Sequence, residues 1–293
     1  MDAVCVKGTW EVLIEKDQKD NLIGVLVYHI RRYRGFTLIL MPPMTAYNGL
    51  YFFYPPGTKE HSKVSYQNKL TDKLIARLPK HSLYYQQYHP SYNNWLSLYW
   101  SGYKETTRYT YLLDKTLGEE VLLNNLKGNL RRSFRHVEES CTLEDHDFDS
   151  FWPQLEKSFN QRNKTIPYNK EVLINLFSAF QDRQQLTVKA CRHNDTNELI
   201  AGVVLASDQT TTYYIASFYL QQAKPAGSLG YVFWKSIFST DTQICDFEGS
   251  MLKDVEFFLR SFGGQLTPHY KIYKVPNLLL KWGLRIFKPE FFV

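Results

Sequence analysis

What this sequence has little of narrows its function first. Its 293 residues include four cysteines, Cys5, Cys141, Cys191 and Cys245, too far apart for a CxxC pair or a zinc-ligand spacing. Free thiols in a reducing compartment are expected. The eight histidines show no HExxH or other paired metal spacing, so no metal is expected. No N-terminal signal pattern and no apolar run of about 18 residues occurs, which makes the cytoplasm the default location and predicts no membrane span. Glycine-rich dinucleotide motifs are missing, and no Ser-His-Asp order can be traced. The oligomeric state is not legible.

What is present suits a globular protein. Hydrophobic residues make up 44% of the chain, enough for a real core, and aromatic residues 16%, with 21 Tyr and 19 Phe, which points to packed sheets or pockets. The net charge of +6 favours anionic partners without choosing among nucleic acid, phosphate and membrane.

The first half reads as sheet-rich. Strand-like runs at 10–15 and 22–30 flank a polar turn, the basic turn Arg31, Arg32 and Arg34 precedes a strand at 36–40, and 50–54 adds another before Pro55, Pro56 and Gly57. A helix is predicted over 62–78 and strands over 83–89 and 106–113, while 94–100 is ambiguous. Thr116 and Glu119 form a capping box for a helical segment over 117–139 that Gly128 can interrupt. Leu123, Leu126, Leu130, Phe134 and Val137 make its apolar face, beside a cationic stripe of Lys127, Arg131 and Arg135 that Arg132 enlarges. The stripe reads either as a solvated helix face or as an anion-binding surface.

The acidic text Glu144 to Asp149 is the candidate domain boundary, giving domains 1–143 and 144–293. Beyond it, helices over 151–159, which Ser150 can cap, and 169–182 precede strands over 186–192, 199–206 and 212–220. A helix at 228–239, a strand at 244–247, a helix at 252–262 and a strand within 266–275 complete the order ααβββαβαβ. A short likeness between 21–27 and 198–205 is compatible with two related halves.

The stretch CDFEGSMLKDVEFFLRSFGG, 245–264, reads as strand, turn and helix. Strand alternation would put Asp246 and Glu248 on one face. Gly249 and Ser250 turn the chain into the helix, either to cap it or to present groups to a pocket.

The order ααβββαβαβ resembles the GNAT acyltransferase fold. The text ICDFEGS at 244–250 with FFLRSFGG at 257–264 is similar to the Fem-type peptidoglycan aminoacyltransferases and their uncharacterised GNAT-family relatives. So is the segment from Asn124 to Glu138, with Asn129, Arg131, Arg132, Phe134 and Arg135, and more weakly Met41-Pro42-Pro43 and the pair Arg108 and Tyr109. The resemblance implies an α/β (α+β) protein of two tandem GNAT-like domains, each a mixed sheet flanked by helices. It implies transfer of an acyl group from an activated donor to an amine, with a small molecule or cell-wall precursor as acceptor. Asp246 or Glu248 would act as the base. Arg260, Ser250, Gly249, Lys127, Arg131, Arg132, Arg135, Arg108 and Tyr109 would bind substrate.

No tightly bound cofactor is expected, and acyl-CoA is the possible co-substrate. Where acetyl-CoA users carry an Arg/Gln-x-x-Gly-x-Gly/Ala loop, this chain has Gln222, Gly227, Ser228 and Gly230 in altered spacing, and Pro225 lacks an N–H. Fem-type enzymes carry Phe-Lys-x-x-Phe-Gly, where this chain has Leu259 for the lysine and Arg260 about 100° further round the helix. Charged tRNA is therefore the less favoured donor. The alternative is a catalytically silent binding protein of the same fold, for an anionic or cell-wall-precursor ligand. Leu278 to Lys288 reads as a docked helix or as a membrane-surface segment.

Overall fold

A computed structural model describes residues 1–167, 169–220, 224–288 and 291. The chain forms two compact units, one of residues 1–108 and 268–293, the other of residues 109–267.

Unit 1 contains β1 (Thr9–Lys16), β2 (Leu22–Tyr33), β3 (Phe36–Leu40), β4 (Gly49–Phe52), α1 (Glu60–Ala76), β5 (Leu83–Gln87), α2 (Leu96–Trp100) and the start of β6 (Lys104–Asp114). β1 and β2 form the expected hairpin, and β3 and β4 share the other edge of β2, pairing with its second and first halves. β3 then runs parallel to β5. The ambiguous 94–100 segment is the helix α2. Leu26, Tyr28, Ile39, Leu74, Tyr84 and Tyr88 fill the core beneath α1.

In unit 2 the predicted helix over 117–139 is broken. Asp114 caps a 3-10 turn at Lys115–Leu117, Gly118 caps α3 (Glu119–Asn125), and α4 (Gly128–Ser140) starts afresh after extended backbone at Leu126. The Thr116–Glu119 capping box does not form, because Asp114 takes the Thr116 N–H at 3.0 Å. The interruption expected at Gly128 falls on Leu126 and Lys127, and Gly128 begins the second helix. β7 (Cys141–Asp145), an edge strand paired to β8, runs into the acidic text with its last two residues, Glu144 and Asp145. Its charged side chains suit an edge.

The ααβββαβαβ order follows as expected: α5 (Phe148–Gln161), α6 (Lys170–Gln181), β8 (Leu186–His193), β9 (Leu199–Ser207), β10 (Thr211–Tyr219), α7 (Ser228–Phe238), β11 (Ile244–Asp246), α8 (Lys253–Arg260) and β12 (Gln265–Lys274). Asp147, not Ser150, caps α5, with Ser150 completing a capping box at its third position. The almost wholly apolar β9 is buried along its length, as a central strand must be. α7 buries most of its surface against β9 and α4, so Phe233, Trp234 and Ile237 form the centre of the core with Val203, Leu205 and Phe262. The chain ends in α9 (Leu278–Phe287), which belongs to unit 1.

The expected boundary at 143/144 falls inside β7, within unit 2. The reason is an exchange of last strands. β6 leaves the first half to pair antiparallel with β11 through Leu112, Leu113 and Asp114, and β12 returns from the second half to pair antiparallel with β5. Each unit has the same core pattern: antiparallel strands, one parallel pair (β3 with β5, β10 with β11), then an antiparallel strand supplied from the far half. The short likeness of 21–27 to 198–205 falls on β2 and β9, which hold equivalent places in the two patterns. Each sheet is mixed and carries helices.

Candidate functional site

The site in unit 2 arises where two parallel strands part. β10 and β11 are in register only over Thr211–Tyr213 and Ile244–Asp246. A register shift between Tyr214 and Ala216 bends β10, and β11 ends at Asp246, so the continuing strand has no neighbour on that edge from β11. The gap opens on the N-terminus of α7. A cavity of about 550 Å³ lies there, lined by Tyr214, Ser217 and Tyr219 of β10, by residues 225–230, by Leu130 of α4 and by Asp254, Val255 and Phe258 of α8.

The sequence explains this shape locally. Gly227 takes the left-handed conformation (φ +91°), and an added Cβ would lie 2.1 Å from the Ser133 hydroxyl oxygen. Gly230 likewise leaves room for Leu130, whose nearest atom would be 2.5 Å from a Cβ there. These glycines let α4 and α7 close together while the first N–H groups of α7 face the cavity end. Ser228 spends its hydroxyl on the Pro225 carbonyl. Arg162 stands at the wall, its guanidinium 4.9 Å from the centre of the Tyr219 ring and donating to Ser158 Oγ at 2.8 Å. Lys164 lies beside it in the lining. Thus Gly227, Ser228 and Gly230 are brought together at one cavity, whereas Gln222 lies outside the described residues.

Asp246 and Glu248 do not share a strand face. Asp246 ends β11 with 1% of its surface exposed, and its Oδ1 accepts from Thr110 Oγ1 at 2.5 Å and from the Glu248 N–H at 2.8 Å. That second bond closes an Asx turn. The chain then passes through two left-handed residues, Glu248 (φ +55°) and Gly249 (φ +61°). Glu248 is therefore aimed by the turn and not by strand alternation. The residue is half-buried, and its carboxyl, with no hydrogen bond or ion pair among the described residues, is pushed up to about 8 by burial first and the Asp246 charge second. Neither acid lines the cavity. Gly249 packs on the Tyr109 backbone, and the Ser250 hydroxyl accepts from the Leu252 N–H, steering the chain into α8.

The expected binding cations are elsewhere. Arg131 donates to Asn124, Arg135 pairs with Glu139, the Lys127 ammonium sits 3.8 Å from the Phe257 ring centre and Arg132 is exposed; only Leu130 of α4 reaches the cavity. Arg260 is exposed and pairs at 3.0 Å with Glu256, which also accepts from the Tyr111 hydroxyl. Leu259 is 1% exposed in the core. Arg108 is the last residue of unit 1.

Arg108 lies in a buried basic cluster the sequence reading missed. His269 and Lys271 alternate on β12, and burial with the Arg108 charge lowers them to about 4 and about 8. Two basic residues at i and i+2, and so on one face of a strand, were the available signal. Lys271 is 2% exposed and gives its ammonium hydrogen to the Phe291 carbonyl at 2.6 Å. The unfolded chain keeps a proton on Lys271 up to about pH 10.5, which the folded chain releases at about 8. Stability should accordingly rise with pH across that window, by at most about 3 kcal/mol. Urea titrations at pH 8 and 10.5 should show the rise, and Lys271→Met should flatten it; an unchanged pH dependence in the variant would refute this account. Among the described residues no group of three or more His, Cys, Asp or Glu is placed to hold a metal ion.

Comparison with solved structures decides the fold. FemX superposes over 95% of this chain and 90% of its own, with a TM-score of 0.69 at 12% identity. This is the Fem-type, GNAT-like fold. The C-terminal domain of a putative lysylphosphatidylglycerol synthetase from Agrobacterium fabrum superposes over 94% and 89% (TM-score 0.56, 12% identity). A tandem GNAT protein from the clavulanic acid biosynthesis pathway does so over 90% and 82% (TM-score 0.54, 7% identity). No protein-family model and no curated protein matches the sequence. At these identities the likeness is one of fold.

Proposed function

We propose that unit 2 transfers an acyl group from an activated donor to an amine. The observation that carries this reading is the gap between the parallel strands β10 and β11, opening on the N-terminus of α7 and a cavity of about 550 Å³. The unpaired N–H groups of α7, with Arg162 and Lys164 in the lining, suit the phosphate end of a donor. The apolar walls, Leu130, Tyr214, Val255 and Phe258, suit its acyl arm. Glu248 stands two residues past the last paired residue of β11, on the strand end where the gap begins but outside the cavity lining. Its pKa of about 8 fits a general base that takes a proton from the attacking ammonium near neutral pH. Asp246 positions the turn that holds it. One proton moves from the ammonium to Glu248, the freed amine nitrogen attacks the donor carbonyl, and as the carbon–sulfur or carbon–oxygen bond breaks the second N–H proton passes to the leaving group, which departs as thiol or alcohol.

Acyl-CoA fits better than charged tRNA. Leu259 is buried, Arg260 is held by Glu256, and none of the α4 cations is in the cavity lining, so among the described residues the α4 stripe and α8 supply no cationic track for a polynucleotide to the gap. The acceptor class remains an amine on a small molecule or cell-wall precursor. Purified protein should bind acyl-CoA at micromolar to millimolar concentration by calorimetry and acylate members of an amine panel. Binding of neither acyl-CoA nor charged tRNA would refute the reading. Binding of acyl-CoA with no transfer to any amine would instead favour the silent binding protein, a reading supported by the absence of Asp246 and Glu248 from the cavity wall.

A further inference from the structure

We infer that α9 and the basic cavity beside it form a docking surface for an anionic lipid bilayer, a property of unit 1 that does not depend on the acyl-transfer reading. Asn277 caps α9 by accepting the Leu280 N–H at 2.9 Å, which fixes where the helix begins. At about 100° per residue, Leu278, Leu279, Trp282 and Ile286 fall within one arc of about 100°. They are 77, 78, 68 and 50% exposed. The less exposed Leu280, Lys281 and Leu284 lie on the other side. The helix thus turns its apolar stripe to water, the reverse of a helix docked on its own protein. No helix among the described residues is long and apolar enough to cross a membrane, so an interfacial placement is the one that fits.

The charge identifies the occupant. From Leu278 to Lys288 the chain holds Lys281, Arg285 and Lys288 and no acid. Lys281 and Arg285 border one side of the apolar stripe and, with Lys104 and Lys274, wall a cavity of about 290 Å³ whose lining, among the described residues, contains no carboxylate. Lys274 is fixed there by donating to the Ser101 carbonyl at 2.7 Å. Glu105 bears on Tyr273 but is not in the lining. An apolar stripe with a tryptophan enters the acyl boundary, while cations beside it meet lipid phosphates and keep their stems in the apolar layer. A second copy placed face to face would oppose one cationic wall with another.

Flotation of the full chain with vesicles tests this. Vesicles of mixed phosphatidylglycerol and phosphatidylcholine should bind the protein more than about tenfold better than phosphatidylcholine alone, and salt should reduce the difference. The double substitution Leu279→Glu and Trp282→Glu should abolish binding, and Lys281→Gln should weaken it about fivefold, both with unchanged thermal melts. Equal binding to the two vesicles, or binding that survives the double substitution, would overturn the inference. So would an oligomer in solution that the same double substitution converts to monomer, since a second copy would then cover the stripe.

Discussion

Glu248→Gln should lower kcat for acyl transfer by about 10²- to 10⁴-fold, the usual contribution of a general base, while leaving acyl-CoA binding within about twofold. The cavity for the donor is built by α7, β10 and α8 without Glu248, which is why binding and turnover should separate. The native rate should rise with pH through about 8 and then level, because only about a tenth of a carboxyl with that pKa is ionised at pH 7. The variant's profile should lose this step. A stability measurement checks the same group independently. A carboxyl raised from 4.5 to about 8 on folding holds a proton in the folded chain that the unfolded chain has released. Stability should therefore be fullest below about pH 4.5 and fall as pH rises to about 8, and Gln should remove that fall. Partial solvent contact screens the effect, so about 2 kcal/mol at pH 9 is expected. A variant that keeps wild-type turnover would leave Glu248 a turn residue only. Loss of turnover with the pH-dependent stability unaltered would mean that Gln acts through the fold and not through the proton.

The contrast between Asp246 and Glu248 shows what the sequence made legible and what it hid. Periodicity found the ααβββαβαβ order with its apolar central strand, and resemblance placed Gly227, Ser228 and Gly230 at one helix terminus, because those features are local. Strand alternation failed at Glu248 because the chain leaves β11 after Asp246 and enters left-handed backbone, a change made by one hydrogen bond to Asp246 that spacing cannot reveal. The break between α3 and α4 lies at extended Leu126 and Lys127, where the Lys127 N–H goes to the distant Ser261 carbonyl at 2.9 Å, and β7 is an edge strand whose only mark is its partner. The exchange of β6 and β12 was least visible. Pairings such as Leu113 with Cys245 join residues more than a hundred positions apart, and nothing in either strand's own pattern names its neighbour. The basic residues of α4 misled for a related reason. Lys127, Arg131 and Arg135 form a true stripe, but packing turns Leu130 and not the stripe toward the cavity.

Gly249→Ala should destabilise unit 2 by about 3 kcal/mol or more. An added Cβ would lie 1.9 Å from the Tyr109 carbonyl oxygen and 2.8 Å from the Thr110 Cα, and both are backbone atoms of β6 that cannot swing aside. The left-handed conformation alone costs a residue with a side chain about 1 kcal/mol, and forced overlap in a packed site costs about 1–3 more. For a unit of this size the melting temperature should fall by about 5–10 °C. Thr110 also donates to Asp246, so moving the Tyr109–Thr110 backbone to admit the methyl would loosen the turn that aims Glu248. Acyl transfer should therefore fall further than the folded fraction does. Gly128→Ala is the matched control. It begins α4 with no atom within 4 Å of an added Cβ, and Ala in that helical position should leave stability unchanged or raise it by up to about 1 kcal/mol. If both substitutions melt within about a degree of the native chain, the contact between Gly249 and β6 does not hold the turn. If Gly249→Ala melts early yet keeps its specific activity in the folded fraction, Glu248 is placed by something other than this glycine.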